Sequence, residues 1–134
     1  MSIGKPRVLV VDDDAAIREA LIDLLADEGM EVVGAATNGT QAVLMAADLA
    51  PDIVMMDLRM PGMDGIQATR AIKDDDPSIQ VVILSAYDDA ALTKGADEAG
   101  AYAYLVKGCS AALVRDVVTQ AWTLKRGLEE RKGA

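Results

Sequence analysis

Apolar and polar positions alternate along this chain in two rhythms. Five short runs are apolar almost throughout: 7–11 (RVLVV), 31–36 (EVVGAA), 52–56 (DIVMM), 79–85 (IQVVILS) and 101–106 (AYAYLV). They are rich in Val and Ile and predict strands, the central ones apolar throughout, as a sheet covered on both faces requires. Between them the spacing becomes helical. Residues 15–29 carry Ile17, Leu21, Leu24 and Leu25 at helical intervals and stop at Gly29. Residues 39–50 set Val43, Ala46 and Leu49 on one face, with Pro51 beyond the end. Residues 64–73 align Ile66, Thr69 and Ile72. Residues 89–100 form a weaker helical pattern, interrupted by Gly95, and 110–127 place Leu113, Val117, Ala121 and Leu124 in register. The charged segment 127–134 leaves the pattern and reads as a helix end or linker.

Five strand–helix units in one chain imply a parallel sheet covered on both faces. The expected fold class is α/β: a flavodoxin-like, doubly wound (βα)5 sandwich with strand order 2-1-3-4-5. The 134 residues suffice for one domain, and a hydrophobic content of 51% gives it a real core.

Charge and composition narrow the function. Thirteen basic residues against 22 acidic ones leave a net charge of −9, which argues against direct nucleic-acid binding. The chain has no histidine, which removes His-based zinc sites, His general bases and Ser-His-Asp triads together. Cys109 is the single cysteine, a small residue at a helix start, so no internal disulfide forms. The apolar run at the N-terminus is too short for a signal peptide, and no run reaches membrane-spanning length. The expected setting is cytoplasmic, with no membrane contact.

In sheets of this kind, sites gather at the carboxyl ends of strands near the reversal of strand order. Strand 1 runs into Asp12 and Asp13, strand 3 into Asp57, strand 4 into Ser85 and strand 5 into Lys107. Clustered carboxylates without His or Cys favour a hard cation with oxygen ligands, and magnesium suits them best. An Asp beside a cation and a Lys can act as a nucleophile toward phosphorus. Lys107 and the Ser85 hydroxyl would then hold the added phosphoryl oxygens. Asp14 and Asp64 read as helix caps, Pro61 and Gly62 as loop punctuation, and Trp122 as core. Tyr102 and Tyr104, two residues apart, are expected on one face of the last strand.

The motifs "VLVVDDD", "DIVMMDLRMPGMDG", "VVILSAY" and "AYAYLVKG" resemble, in this order and spacing, those of bacterial two-component response-regulator receiver domains over about residues 6–126. The resemblance implies a receiver domain over 1–126, with Asp57 as the phosphorylated residue. It implies Asp13, Asp57 and the Arg59 carbonyl as direct Mg2+ ligands and Asp12 acting through a bound water. It assigns Ser85 as the switch hydroxyl, Tyr104 as the aromatic switch and Lys107 as the conserved-type lysine. The implied partners are a sensor histidine kinase and a DNA-binding output domain beyond residue 134. Association of two copies through the fourth helix, fifth strand and fifth helix, or through the fifth helix alone, is a further expectation. The chain departs from the family where Gly108, not Pro, follows the lysine. That Gly, with "EVVGAATNG" and "MDLRMPGMDGIQATR", resembles receivers joined to LuxR/NarL-type helix-turn-helix domains.

Three other readings use the same fold. An Asp-nucleophile phosphatase usually carries a second acid two residues after the nucleophile, where this chain has Arg59. A flavin or nucleotide module needs a Gly/Ser/Thr phosphate loop after strand 1, where this chain has three acids. A binding module that is never phosphorylated would not require the whole acidic set.

Overall fold

The computed structural model of the protein describes residues 4–133, with side chains described through residue 130. Strands β1 (Arg7–Val11), β2 (Glu31–Ala36), β3 (Ile53–Met56), β4 (Gln80–Ser85) and β5 (Ala103–Val106) alternate with five helices. These are α1 (Ala15–Asp27), α2 (Gly39–Leu49), α3 (Gly65–Asp75), α4 (Ala90–Glu98) and α5 (Ala111–Gly133). All strand pairs are parallel, and the order is β2-β1-β3-β4-β5. The doubly wound expectation holds.

The apolar runs divide between the two faces as a parallel sheet demands. Leu9, Val11, Val54, Met56, Val81 and Ile83 pack beneath α2, α3 and α4. Val8, Val10, Ile53, Met55, Val82 and Leu84 pack with α1 and α5. The helices start where the sequence supplies acceptors. Asp14 Oδ1 takes the N–H groups of Ala16 and Ile17 at 2.9 and 3.1 Å. Asp64 and Gln67 form a reciprocal capping box at the start of α3.

Three expectations change. Leu113 and Leu124 of α5 are exposed, and the buried stripe is Val114, Val118, Ala121 and Lys125. The helix carries two overlapping apolar stripes, and the inner one is disguised because it ends in a lysine. That lysine is buried against Asp52, at 3.0 Å. Asp52 also accepts the backbone N–H of Arg7 at 2.8 Å. Tyr102 and Tyr104 pack on opposite faces, since β5 begins only at Ala103 and the alternation is broken before it. Gly95 does not interrupt α4. A Cβ there would stand 3.1 Å from Ile66 Cδ1, so glycine permits the close approach of α4 to α3. The charged C-terminal segment continues α5 as helix to Gly133, and Ala134 lies outside the described residues.

Candidate acidic functional site

β1 and β3 are hydrogen-bonded neighbours, with Val11 opposite Met56. The residues that follow them therefore meet on one rim. One side-chain oxygen each from Asp12, Asp13 and Asp57 lies within 4.8 Å of the others. Asp12 and Asp57 are buried and Asp13 is exposed. Lys107, delivered by the end of β5, sends its ammonium to Asp12 Oδ2 at 2.8 Å and to Asp57 Oδ1 at 3.3 Å.

The carboxylates are anchored by the backbone. Asp12 Oδ1 accepts the Asp14 N–H at 2.9 Å, and Asp57 Oδ1 accepts the Leu58 N–H at 3.0 Å. The main chain of Asp57 donates to Val11 O at 3.0 Å, which ties the two strand ends together. Ser85, fully buried, accepts the Tyr87 N–H on its hydroxyl at 3.1 Å, and its carbonyl accepts the Lys107 N–H at 2.7 Å. Tyr104 Oη donates to the carbonyl of Tyr87. The exposed Arg59 guanidinium lies over the Tyr87 ring, 4.4 Å from its centroid.

Electrostatics follow from this inventory. Burial pushes the Asp57 carboxyl above its ordinary value, and the Asp12 charge adds to it. Lys107 opposes that rise through its charge and hydrogen bond, while Asp13 reinforces it. For Lys107, burial acts downward, but its hydrogen bond to Asp12 and the charge of Asp57 outweigh it, so the ammonium is held above its ordinary value. The two upward shifts are compatible. Lys107 sees two close carboxylates, whereas Asp57 sees two like charges against one ammonium. With three carboxylates and one ammonium, the rim is left about two charges negative. An all-oxygen set with that deficit fits a divalent hard cation.

The Lys107–Gly108 step has a local explanation. No peptide bond among the described residues is cis, and Gly108 has φ of 95°. Cys109 N–H donates to Val106 O at 3.1 Å, closing a turn with Lys107 and Gly108 at its centre. A positive φ at the third position of a turn selects glycine. Proline, fixed near −65°, cannot adopt it.

Other supporting residues carry no chemical signature in the sequence. A Cβ on Gly65 would overlap the Asp57 carbonyl oxygen and stand 2.8 Å from Leu58 Cα. Its N–H donates to Leu58 O at 2.8 Å, so α3 begins pressed against the Asp57 loop. Arg18 donates to the Asp12 carbonyl at 2.9 Å. The sequence pattern marks Asp64, beside Gly65, as a helix cap and singles out neither Gly65 nor Arg18.

The response regulator receiver domain model matches residues 8–119. The chain belongs to this family. It is 40% identical over 115 residues to the transcriptional regulatory protein LnrK of Bacillus subtilis, covering 84% of this chain and 52% of LnrK. It is 45% identical over 105 residues to the chemotaxis protein CheY of Thermotoga maritima, covering 78% of this chain and 87% of that one. The signal receiver domain of the response regulator NarL from Mycobacterium tuberculosis superposes with a TM-score of 0.81 at 32% identity, covering 92% and 98% of the two chains. The chain thus spans about half of LnrK and most of CheY. Relatives of LuxR/NarL type, as the sequence motifs led us to expect, stand among its neighbours. Receiver domains are regulatory phosphoacceptor domains of two-component systems. No described helix is long and apolar enough to cross a membrane.

Proposed function

We propose that this receiver is a phosphorylation-dependent switch in which Asp57 accepts the phosphoryl group of a sensor histidine kinase. The observation that supports it is the Asp57 carboxylate, buried beside two further carboxylates and held by Lys107 at 3.3 Å. The donor histidine lies outside these 134 residues, which include none. An Asp57 oxygen attacks the phosphorus of phosphohistidine. The phosphorus–nitrogen bond breaks, and its electron pair returns to the imidazole.

Asp13, Asp57 and the Arg59 carbonyl would hold Mg2+ directly, with Asp12 acting through a water. Bound there, the ion supplies positive charge that screens the incoming phosphoryl oxygens from the carboxylates. Lys107 neutralises a phosphoryl oxygen, and Ser85 donates its hydroxyl proton to another. Ser85 can do this while keeping the Tyr87 N–H, because a hydroxyl has one proton and two acceptor sites. Movement of Ser85 and Tyr104 would bias the face built by α4, β5 and α5 between two pre-existing arrangements. That face would control an output domain, with transcription as the output, as in the relative named a transcriptional regulator. Self-association through α4-β5-α5 or α5 would couple to the same shift. The boundary of the switch lies near residue 126, and the cellular setting is cytoplasmic.

The test is intact-mass measurement after incubation with acetyl phosphate and Mg2+. The protein gains one phosphoryl group, and Asp57→Asn gains none. Equal labelling of Asp57→Asn overturns the assignment.

A further inference from the structure

We propose that Arg18 is a positioning residue for Mg2+: it fixes the peptide that precedes Asp13 and so holds the Asp13 carboxylate in the acidic cluster. The proposal rests on the reading that this cluster binds Mg2+.

The three acids after β1 differ in what holds them. Asp12 has both carboxylate oxygens engaged, Oδ1 by the Asp14 N–H at 2.9 Å and Oδ2 by Lys107 at 2.8 Å. Asp14 Oδ1 caps α1 by accepting the N–H groups of Ala16 and Ile17. The Asp13 carboxylate is exposed and has no hydrogen bond or ion pair among the described residues. Yet one of its oxygens lies within 4.8 Å of oxygens of Asp12 and Asp57. Its place in the cluster is therefore set by its main chain.

That main chain is pinned on both sides of the Asp13 α-carbon. The peptide before it has its carbonyl, Asp12 O, held by the Arg18 guanidinium at 2.9 Å. The peptide after it has its N–H, on Asp14, held by Asp12 Oδ1 at 2.9 Å. Asp12 N–H in turn donates to Ala36 O at 3.2 Å, which ties the turn to the end of β2. Without Arg18, only one of the two flanking peptides stays anchored.

Helix stability does not account for this arginine. It stands near the start of α1, where the helix dipole disfavours a cation. No ion pair among the described residues accounts for it either, although three acids precede it: the half-buried guanidinium spends its bond on a carbonyl. The Asp13 carboxylate is left free to bind a cation while its backbone is held. A ligand ordered before the ion arrives binds it more tightly than one that must be ordered on binding.

The experiment titrates MgCl2 into 15N-labelled wild type, Arg18→Met and Arg18→Lys at constant ionic strength, and reads the dissociation constant from amide chemical shifts. Amide dispersion in the same spectra reports the fold of each variant. Arg18→Met should weaken Mg2+ binding about 10-fold, the lower end of what loss of a ligand's outer partner costs. Arg18→Lys, which keeps one donor for the carbonyl, should fall between Arg18→Met and wild type. Charge alone predicts the opposite sign, since removing a cation near the site would tighten the binding of another. Unchanged or tighter binding by Arg18→Met overturns the proposal, as does weaker binding by Arg18→Lys than by Arg18→Met. A lower melting temperature of metal-free Arg18→Met with an unchanged dissociation constant makes Arg18 structural only, and overturns it as well. A wild type whose amides beside the acidic rim do not respond to Mg2+ overturns the magnesium reading itself, and this proposal with it. Wild type and variants are read separately, so the two failures are distinguishable.

Discussion

Lys107 Nζ lies 2.8 Å from Asp12 Oδ2, which joins the end of β5 to the end of β1 across two intervening strands. The same ammonium reaches Asp57 at 3.3 Å. This ammonium faces the acidic rim, and its removal tests how that rim is balanced.

Lys107→Met should cost about 2 kcal/mol of unfolding free energy at neutral pH without divalent cations, the scale of hydrogen bonds to charged groups. Urea denaturation measures it. The Lys107 value is raised in the folded state, so its contribution is complete below the ordinary lysine value of 10.5 and fades only as pH climbs beyond it. The gap between wild type and variant should therefore be level across neutral pH and narrow in alkali.

Asp57→Asn should stabilise the metal-free protein. The folded-state value of Asp57 is raised from 3.8, so its ionisation opposes folding, and stability falls as pH rises through that raised value. The variant removes this fall. Each ~1 kcal/mol gained appears as about 4 °C in melting temperature for a domain of this size. Millimolar Mg2+ should raise the melting temperature of wild type and raise that of Asp57→Asn less. Calorimetry at several pH values, with and without Mg2+, decides it.

Gly65→Ala should cost about 1–3 kcal/mol, as overpacking of a close contact does. The new methyl group meets the Asp57 carbonyl and Leu58 Cα, so the start of α3 must retreat from the acidic loop. Slower phosphorylation by acetyl phosphate should accompany the lost stability. Gly62→Ala has no neighbouring atom within 4 Å and serves as a control for a turn glycine with positive φ but free space.

Lys125→Met should destabilise the fold by about 3 kcal/mol by leaving the fully buried Asp52 without its ammonium. Asp52 precedes β3, whereas Asp57 follows it, so the defect lies at the opposite end of the strand. Phosphorylation kinetics should stay near those of wild type where the variant is folded. Asp52→Asn/Lys125→Met should recover part of the stability, because the fully buried position 52 no longer carries a charge, although the partly exposed Glu129 still loses its 3.1 Å ion pair to Lys125. Hydrogen exchange along residues 120–130 would locate the weakened turns.

Much of the site was legible because it is built from strand ends. A residue that directly follows an apolar run must emerge at the sheet's rim; Asp12, Asp57 and Lys107 each directly follow a strand, and Ser85 is the last residue of β4. The strand order then brings Asp12 and Asp57 together. The caps at Asp14 and Asp64 were equally plain, since each is a local bond from a side chain to its own next turn.

What resisted reading depended on contacts between distant segments. Lys125 looks like surface until Asp52, 73 positions earlier by subtraction, is seen to meet it. Tyr102 and Tyr104 obey strict alternation only if the strand is regular, and the irregularity before Ala103 turns them to opposite faces. The Tyr87 main chain became important only when Ser85 and Tyr104 closed on it from two strands.

The sequence by itself determined the alternation of strands and helices, the parallel sheet and the acids and lysine at its rim, because hydrophobic periodicity and chain order act locally. Tertiary structure alone decided which stripe of α5 is buried, why glycine stands at 65 and 95, and that Arg59 lies on Tyr87. Those outcomes depend on side-chain volumes and charges meeting across the fold, and a linear pattern does not record such distances.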